Sequence, residues 1–293
     1  MRRLLYSFFI LVALYLLLVV RARPVDPHPF YANLPDRPLN IAHQGGEHLR
    51  PSNTMIAFEH GLATGADVLE MDIHSSADGV LVTIHDNTVD RTTDGSGRVN
   101  ELTLEQIKSL DAGYYWSADG GATHPYRSQG VTIATLNEVF AAFPDVPMVI
   151  EIKQSEPPIV EPFCAMIRVS GKAQQVLVAS FSQTVIDDFR ATCPEVATSA
   201  AQSDVLRFYV LQFLRLQRIS SPTYEAFQVP EYFAGIRVLA PHFVRSAEQR
   251  GVRVEVWTIN ESAEMRRFLD LGVDGVITDR PDLLQGLLQN GGR

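Results

Sequence analysis

From residue 39 onward, short apolar runs alternate with amphipathic segments almost to the end of the chain. Candidate strands are Leu39–His43, Val68–Ile73, Val80–His85, Met148–Ile152, Val176–Ser180, Val196–Ala200, Ala226–Val229, Val252–Thr258 and Gly275–Thr278. Helical patterns fall between many of them, at Asn53–Ala63, Leu136–Ala142, Pro158–Val169, Gln183–Thr192, Val205–Gln217, Phe243–Arg250, Ala263–Leu271 and Pro281–Leu288. Strands alternating with helices imply parallel sheet built from βαβ units, the α/β class. About eight units in about 250 residues favour a closed (β/α)8 barrel of the TIM type. An open doubly wound sheet is the main alternative, but no Gly-x-Gly-x-x-Gly follows any candidate strand. Between Ser75 and Pro147 the alternation breaks, and Gly95, Gly97, Gly113, Gly120, Gly121 and Gly130 mark a loop-rich insertion. After an early barrel strand, such an insertion caps the catalytic face.

Upstream, Leu4 to Val20 carries no charge and is flanked by Arg2 and Arg3 on one side and Arg21 and Arg23 on the other. The run sits at the short end of the roughly 17–25 residues of a membrane-spanning helix. It ends in Val19-Val20-Arg21-Ala22-Arg23, without a small-x-small cleavage site. The reading is an uncleaved single-pass N-terminal transmembrane helix over residues 1–23, with the domain on the extracytoplasmic side; a cleaved leader is the alternative. Residues 24–38, with five prolines, read as an extended linker. The barrel domain is then residues 39–289, with the cap insertion at about 75–147. Cys164 and Cys193 are the only cysteines, and either a single disulfide or two buried thiols is compatible with them. A net charge of −9, more acidic still without the four N-terminal arginines, excludes a nucleic-acid partner.

Chemistry gathers at the strand ends. In Leu69-Glu70-Met71-Asp72-Ile73-His74, alternation points Glu70, Asp72 and His74 one way and the apolar residues the other. Two carboxylates on one strand face repel and are costly to bury. A hard divalent cation, Mg²⁺ or Ca²⁺, resolves that cost; structural ion pairs with arginine or lysine are the plainer explanation. Val149-Ile150-Glu151-Ile152-Lys153 repeats the pattern, with Glu151 and Lys153 on one face. Three carboxylates and a lysine at a barrel mouth suit a metal and phosphate site. His43 and His85 close two strands beside this cluster and suit a general acid and a general base. His74 is a weaker candidate, either a group supporting the catalytic residues from behind or a rim histidine, and His48, His60, His124 and His242 read as surface or packing residues.

The ordered set His43-Gln44-Gly45-Gly46, Pro51-Ser52-Asn53-Thr54, Glu70-x-Asp72, Asp78-Gly79, His85-Asp86, Glu151-Ile152-Lys153, Trp257-Thr258-Ile259-Asn260 and Gly272 to Pro281 resembles the glycerophosphodiester phosphodiesterase family. The resemblance implies a TIM-type barrel with an inserted cap that uses a divalent cation to hydrolyse glycerophosphodiesters to glycerol 3-phosphate and an alcohol. By the same resemblance His43 and His85 match the acid/base histidines, and Glu70, Asp72 and Glu151 the metal carboxylates. Lys153 matches the phosphate-contacting lysine and Trp257 an aromatic wall of the glycerol pocket.

Two positions depart from the pattern: Gln44 stands where the family usually has arginine, and Ser52 where it has glutamate. Gln44 is left to donate a hydrogen bond to phosphate without charge, Arg50 is the candidate replacement cation, and Glu47 the candidate replacement carboxylate. Lysophospholipids are the alternative substrate class, with the apolar segment 206–217 as a candidate lipid-facing or packing surface. A non-catalytic, membrane-tethered, metal-stabilised binding protein is the other alternative, and retention of both histidines and all three carboxylates argues against it.

Overall fold

The computed structural model describes residues 2–290. An N-terminal helix, α1 (Arg2–Arg21), and a short helix, α2 (Pro29–Ala32), precede β1 (Leu39–Ala42). The first half of the barrel continues with α3 (Met55–Ala63), β2 (Val68–Ser75), β3 (Leu81–Thr83), α4 (Leu104–Lys108), α5 (Leu136–Ala142), β4 (Met148–Ile152), α6 (Val160–Val169), β5 (Val176–Ala179), α7 (Gln183–Thr192) and β6 (Ala197–Thr198). The second half holds α8 (Gln202–Phe213), β7 (Ala226–Val229), β8 (Tyr232–Phe233), β9 (Ile236–Arg237), α9 (Pro241–Glu248), β10 (Arg253–Val256), α10 (Ser262–Leu271), β11 (Gly275–Thr278) and α11 (Pro281–Asn290).

Eight parallel strands run in the order β6-β5-β4-β2-β1-β11-β10-β7, and a bridge from Ser199 to Ala226 joins the two ends. The result is a nearly closed barrel of the expected TIM type. Alternation along each strand sorts the side chains as the sequence implies. Leu69, Met71 and Ile73 face outward, in one core with Phe58, Phe163 and Phe189 of the surrounding helices. Phe227, Val254 and Val256 do the same with Phe208, Phe243 and Phe268. Leu39, Ile41, Val68, Val149, Leu177 and Ile277 fill the barrel interior.

Of the nine candidate strands, one is not a stave. The Val80–His85 run forms β3, which pairs antiparallel with β2, Ile73 opposite Thr83 and Ser75 opposite Leu81. Only residues 76–80 separate the two strands, far too few for a parallel crossover, so a hairpin is the only connection open to them. This hairpin opens the insertion, which packs its own small core of Val82, Ile84, Val89, Val99, Ile107 and Ile133. A second hairpin, β8–β9, escapes sequence reading because its two-residue turn is Ala234-Gly235. Both residues have positive φ, 48° and 79°, without the Asn-Gly signature of such turns.

The proline-rich segment is packed against the barrel. Phe30 is 2% exposed and belongs to the interior core, so α2 stoppers the base of the barrel. Beside it the Tyr31 hydroxyl donates to Glu255 Oε1 (3.0 Å), and Gln228 donates to Glu255 Oε2 (2.8 Å). Burial pushes the Glu255 carboxyl up to about 7. A buried acid with a raised pKa is held protonated in the native state, so ionising it weakens the fold as pH rises from the ordinary carboxyl range through 7. Glu255→Gln should therefore gain stability over the wild type with pH, by about 3 kcal/mol at pH 8 relative to pH 4. Denaturant titrations at the two values measure it; a pH-independent difference would contradict the assignment.

Cys164 in α6 and Cys193 at the end of α7 are joined in a disulfide, Cα–Cα 5.8 Å, which resolves the two readings of the cysteines. The N-terminal expectation needs correction. The apolar run does form helix α1, which touches the turn at Gln217–Ile219, but no helix among the described residues is long and apolar enough to cross a membrane. The uncharged stretch of residues 4–20 rises only about 25 Å, short of a hydrocarbon core of about 30 Å. The helix also carries Arg2, Arg3 and Arg21 at its ends. The single-pass anchor, and with it the extracytoplasmic placement, is not supported.

Candidate active site

The acidic cluster is built by register. Asp72 of β2 stands opposite Glu151 of β4, and Glu70 lies one inward position before Asp72. One carboxylate oxygen from each of the three lies within 4.8 Å of the others. Burial, reinforced by the neighbouring Asp72, raises the Glu70 carboxyl to about 8, although His43 opposes the rise. Burial likewise raises Glu151, with Lys153 opposing. Lys153 Nζ sits 2.9 Å from Glu151 Oε2 and 3.2 Å from Asp72 Oδ1.

Two backbone devices hold the cluster. After β1 the chain makes a tight turn with positive φ at Gln44 (51°), Gly45 (81°) and Gly46 (102°), and the Gln44 N–H donates to Glu70 Oε2 (2.8 Å). A Cβ on Gly45 would meet the Ala57 backbone at 2.8 Å, so this turn requires glycine. Asn53, also at positive φ (56°), donates from Nδ2 to Asp72 Oδ2 (2.9 Å) and accepts from the Asp72 N–H (3.1 Å).

Each histidine is backed by a carboxylate. His43 Nδ1 lies 2.6 Å from Asp279 Oδ1, and Asn260 Nδ2 donates to Asp279 Oδ2 (2.6 Å). His85 Nδ1 lies 2.8 Å from Asp86 Oδ1, while Arg91 Nε donates to Asp86 Oδ2 (2.7 Å). A carboxylate at Nδ1 fixes the ring and leaves Nε2 for substrate. Burial lowers the His43 pKa, but Glu70 and the Asp279 hydrogen bond outweigh it and bring it to about 9.

His43, His85, Glu70, Glu151 and Lys153 line one cavity of about 580 Å³ at the C-terminal face of the barrel, where Phe181 and Trp257 meet edge to face with ring centres 5.8 Å apart. A neighbouring cavity of about 610 Å³ is walled by Glu47, His48, Ser52, Arg91, Tyr115 and Trp116.

Gln44 is 2% exposed and lines neither cavity; it serves the site through its backbone N–H, because the tight turn folds its side chain inward. Arg50 also lines neither cavity, its guanidinium lying 5.8 Å from the centre of the Tyr126 ring. Glu47 accepts from Arg91 (3.4 Å) and groups with His43 and Asp279. His74 is buried, 3.2 Å from the His85 carbonyl, and supports the loop. His48 is exposed, as the surface reading has it, and lies 3.4 Å from Asp279. Asn53, Asn260 and Asp279 carry positioning contacts that sequence reasoning did not assign, although Asp279 directly follows β11 and so stands where barrel enzymes keep functional side chains.

An α/β barrel with its ionisable residues gathered at the C-terminal ends of the strands has the architecture of a barrel enzyme. The chain belongs to the Glycerophosphoryl diester phosphodiesterase family, whose sequence model matches residues 43–283, and the family consists of phosphoric diester hydrolases. It is 32% identical over 259 residues to the Glycerophosphodiester phosphodiesterase of Caldanaerobacter subterraneus, covering 87% of this chain and 99% of that one. It is 25% identical to Lysophospholipase D GDPD1 of Rattus norvegicus, covering 86% of each. Among solved structures, a phosphodiesterase of Oleispira antarctica in complex with the product sn-glycerol-3-phosphate matches with a TM-score of 0.70 at 25% identity, over 89% of this chain and 99% of that one.

Proposed function

We propose that this protein hydrolyses glycerophosphodiesters to glycerol 3-phosphate and an alcohol, with a divalent cation at Glu70, Asp72 and Glu151 and with His43 and His85 as acid and base. The observation that carries the reading is the meeting of two buried carboxylates and one half-buried one, Lys153 and two carboxylate-backed histidines around one cavity. The donor set fits a hard cation: all three ligands are oxygen anions, and the burial that raises Glu70 and Glu151 is relieved by positive charge. Mg²⁺ or Ca²⁺ bound there supplies Lewis-acid polarisation of a phosphoryl oxygen.

The chain's own groups do the rest. Lys153, held between Asp72 and Glu151, offers its charge to the phosphate oxygens and stabilises what accumulates on them in the transition state. One histidine takes the proton from the attacking water or hydroxyl; the other delivers a proton to the leaving oxygen, which is a poor leaving group as a bare alkoxide. Asp279 and Asp86 keep both rings oriented through Nδ1. Trp257 forms an aromatic wall for the glycerol carbons.

Phosphorus and proton NMR of glycerophosphocholine incubated with the purified protein test the reading: glycerol 3-phosphate in the phosphorus spectrum and free choline in the proton spectrum should appear in equal amounts. Phosphocholine and glycerol instead would mean that the wrong ester bond is cut. Lysophospholipase D action, the activity named for the rat relative, is a second reading of the same site, favoured by the apolar character of the cavity's outer half.

A further inference from the structure

The carboxylates behind the two histidines are held in different ways. The Asp279 side chain is 8% exposed and is pinned twice by Asn260, whose Nδ2 donates to Asp279 Oδ2 (2.6 Å) and whose Oδ1 accepts from the Asp279 N–H (2.9 Å). Asp86 has no such seat. It directly follows His85 in the chain and its side chain is 30% exposed, so burial alone does not keep its carboxylate at the neighbouring Nδ1.

Arg91 supplies the missing restraint. Its guanidinium grips Asp86 at two points, Nε to Oδ2 at 2.7 Å and Nη2 to Oδ1 at 3.2 Å, a geometry that fixes orientation as well as distance. The Arg91 hydrogen bond also holds the Asp86 carboxyl below the ordinary carboxylate range, which keeps it an anion beside His85. The remaining nitrogen, Nη1, lies 3.4 Å from Glu47 Oε1. Glu47 in turn groups with His43 and Asp279 within 4.8 Å, and its carbonyl accepts from the Trp116 indole (2.8 Å). A row of charged side chains thus runs from one histidine to the other, with Arg91 at its middle. Arg91 is itself aimed by the cap insertion. Val89 is buried in the insertion's own core, its N–H donates to the Gly97 carbonyl (3.0 Å), and its carbonyl accepts from the Thr93 N–H (3.1 Å) and hydroxyl (2.8 Å), which fixes the turn that carries Arg91.

We propose that Arg91 is a positioning residue for the hydrolysis: by clamping Asp86 it keeps the His85 ring in its working orientation, and it thereby makes the cap insertion part of the catalytic apparatus. The proposal rests on the acid/base role of His85 given above and goes beyond it by naming what sets that ring. Its signature differs from that of a structural salt bridge. An ion pair half open to water contributes little to stability, whereas losing a partner that orients a functional histidine through its far nitrogen typically costs about 10- to 100-fold in activity.

The test is the steady-state hydrolysis of glycerophosphocholine by Arg91→Ala, Arg91→Lys, Asp86→Asn and the Arg91→Ala/Asp86→Asn double variant, with His85→Ala as the reference for loss of the ring. Arg91→Ala should lower kcat by about 10- to 100-fold, leave KM near the wild-type value and move the melting temperature by no more than about 4 °C. Guanidinium ion at concentrations well below denaturing should restore part of the lost kcat, and Arg91→Lys, with a point charge in place of the fork, should fall between wild type and Arg91→Ala. In the Asp86→Asn background the Arg91→Ala change should cost nothing further. A rise in KM with a loss that persists in that background would mean a direct substrate contact and overturns the positioning role. A loss of kcat matched by a loss of folded protein overturns it as well. Wild-type kcat in Arg91→Ala beside an impaired His85→Ala overturns it and leaves the hydrolytic reading standing, whereas no turnover of any diester by the wild type overturns both.

Discussion

Excess chelator should abolish hydrolysis, and Glu70→Gln or Asp72→Asn should lower kcat by about three orders of magnitude or more, even with saturating Mg²⁺ or Ca²⁺. The size follows from the job: polarising a phosphoryl oxygen is worth several kcal/mol of transition-state stabilisation, and each 1.36 kcal/mol is tenfold in rate. The same variants should behave in the opposite direction in a stability assay. Without a cation, the wild type confines Glu70, Asp72 and Glu151 within 4.8 Å of one another in a buried pocket, and Lys153 offsets only part of the repulsion. Above pH 8, where the Glu70 carboxyl is ionised, Glu70→Gln removes a charge and should raise the melting temperature in chelator, while adding cation should raise it for the wild type and much less for the variants. Full activity in chelator, or equal cation-induced stabilisation of wild type and variants, would remove the metal from these three residues.

The second large effect concerns the histidines. His43→Ala and His85→Ala should each lower kcat by roughly 10²- to 10⁴-fold, the range typical of a lost general acid or base. The two are distinguished by the leaving group. A diester with a nitrophenol leaving group needs no protonation, so it should restore much of the rate in the variant lacking the acid and little in the variant lacking the base. If the activated diester restores neither variant or both alike, the division of roles fails. Asp279→Asn should act through His43, because Asp279 touches its ring at Nδ1 and is itself held by Asn260. Its loss should be smaller than that of His43→Ala and should vanish in the His43→Ala background.

How much of this was legible in the sequence depends on how local the cause is. The period-2 alternation of Leu69 to His74 and of Val149 to Lys153 decides which side chains enter the barrel, and the inward faces of β2 and β4 follow from it directly. The hairpin at Val80–His85 was equally local, and the five-residue gap before it carried the antiparallel answer. The Gln44 side chain is aimed by a turn of three successive positive-φ residues, which pattern reading does not orient. Asn53 reaching Asp72 of β2 from the loop after β1, and Asn260 reaching Asp279 between the loops after β10 and β11, are contacts specified by closure of the barrel and not by any neighbouring residue. The N-terminal run was apolar enough to invite a membrane reading. No helix among the described residues combines the length and the apolarity that crossing a membrane requires.

The stopper at the barrel base also sets a direction for the whole molecule. Phe30 and Tyr31 tie the incoming chain to the end of the barrel opposite the catalytic cavity, and Val25 is fastened to the Arg250 carbonyl (2.8 Å) on the way there. Whatever is fused ahead of that segment is delivered to the rear of the enzyme. The mouth stays clear for a substrate approaching from the other side, and an affinity tag or surface tether placed at the amino terminus presents the active site outward.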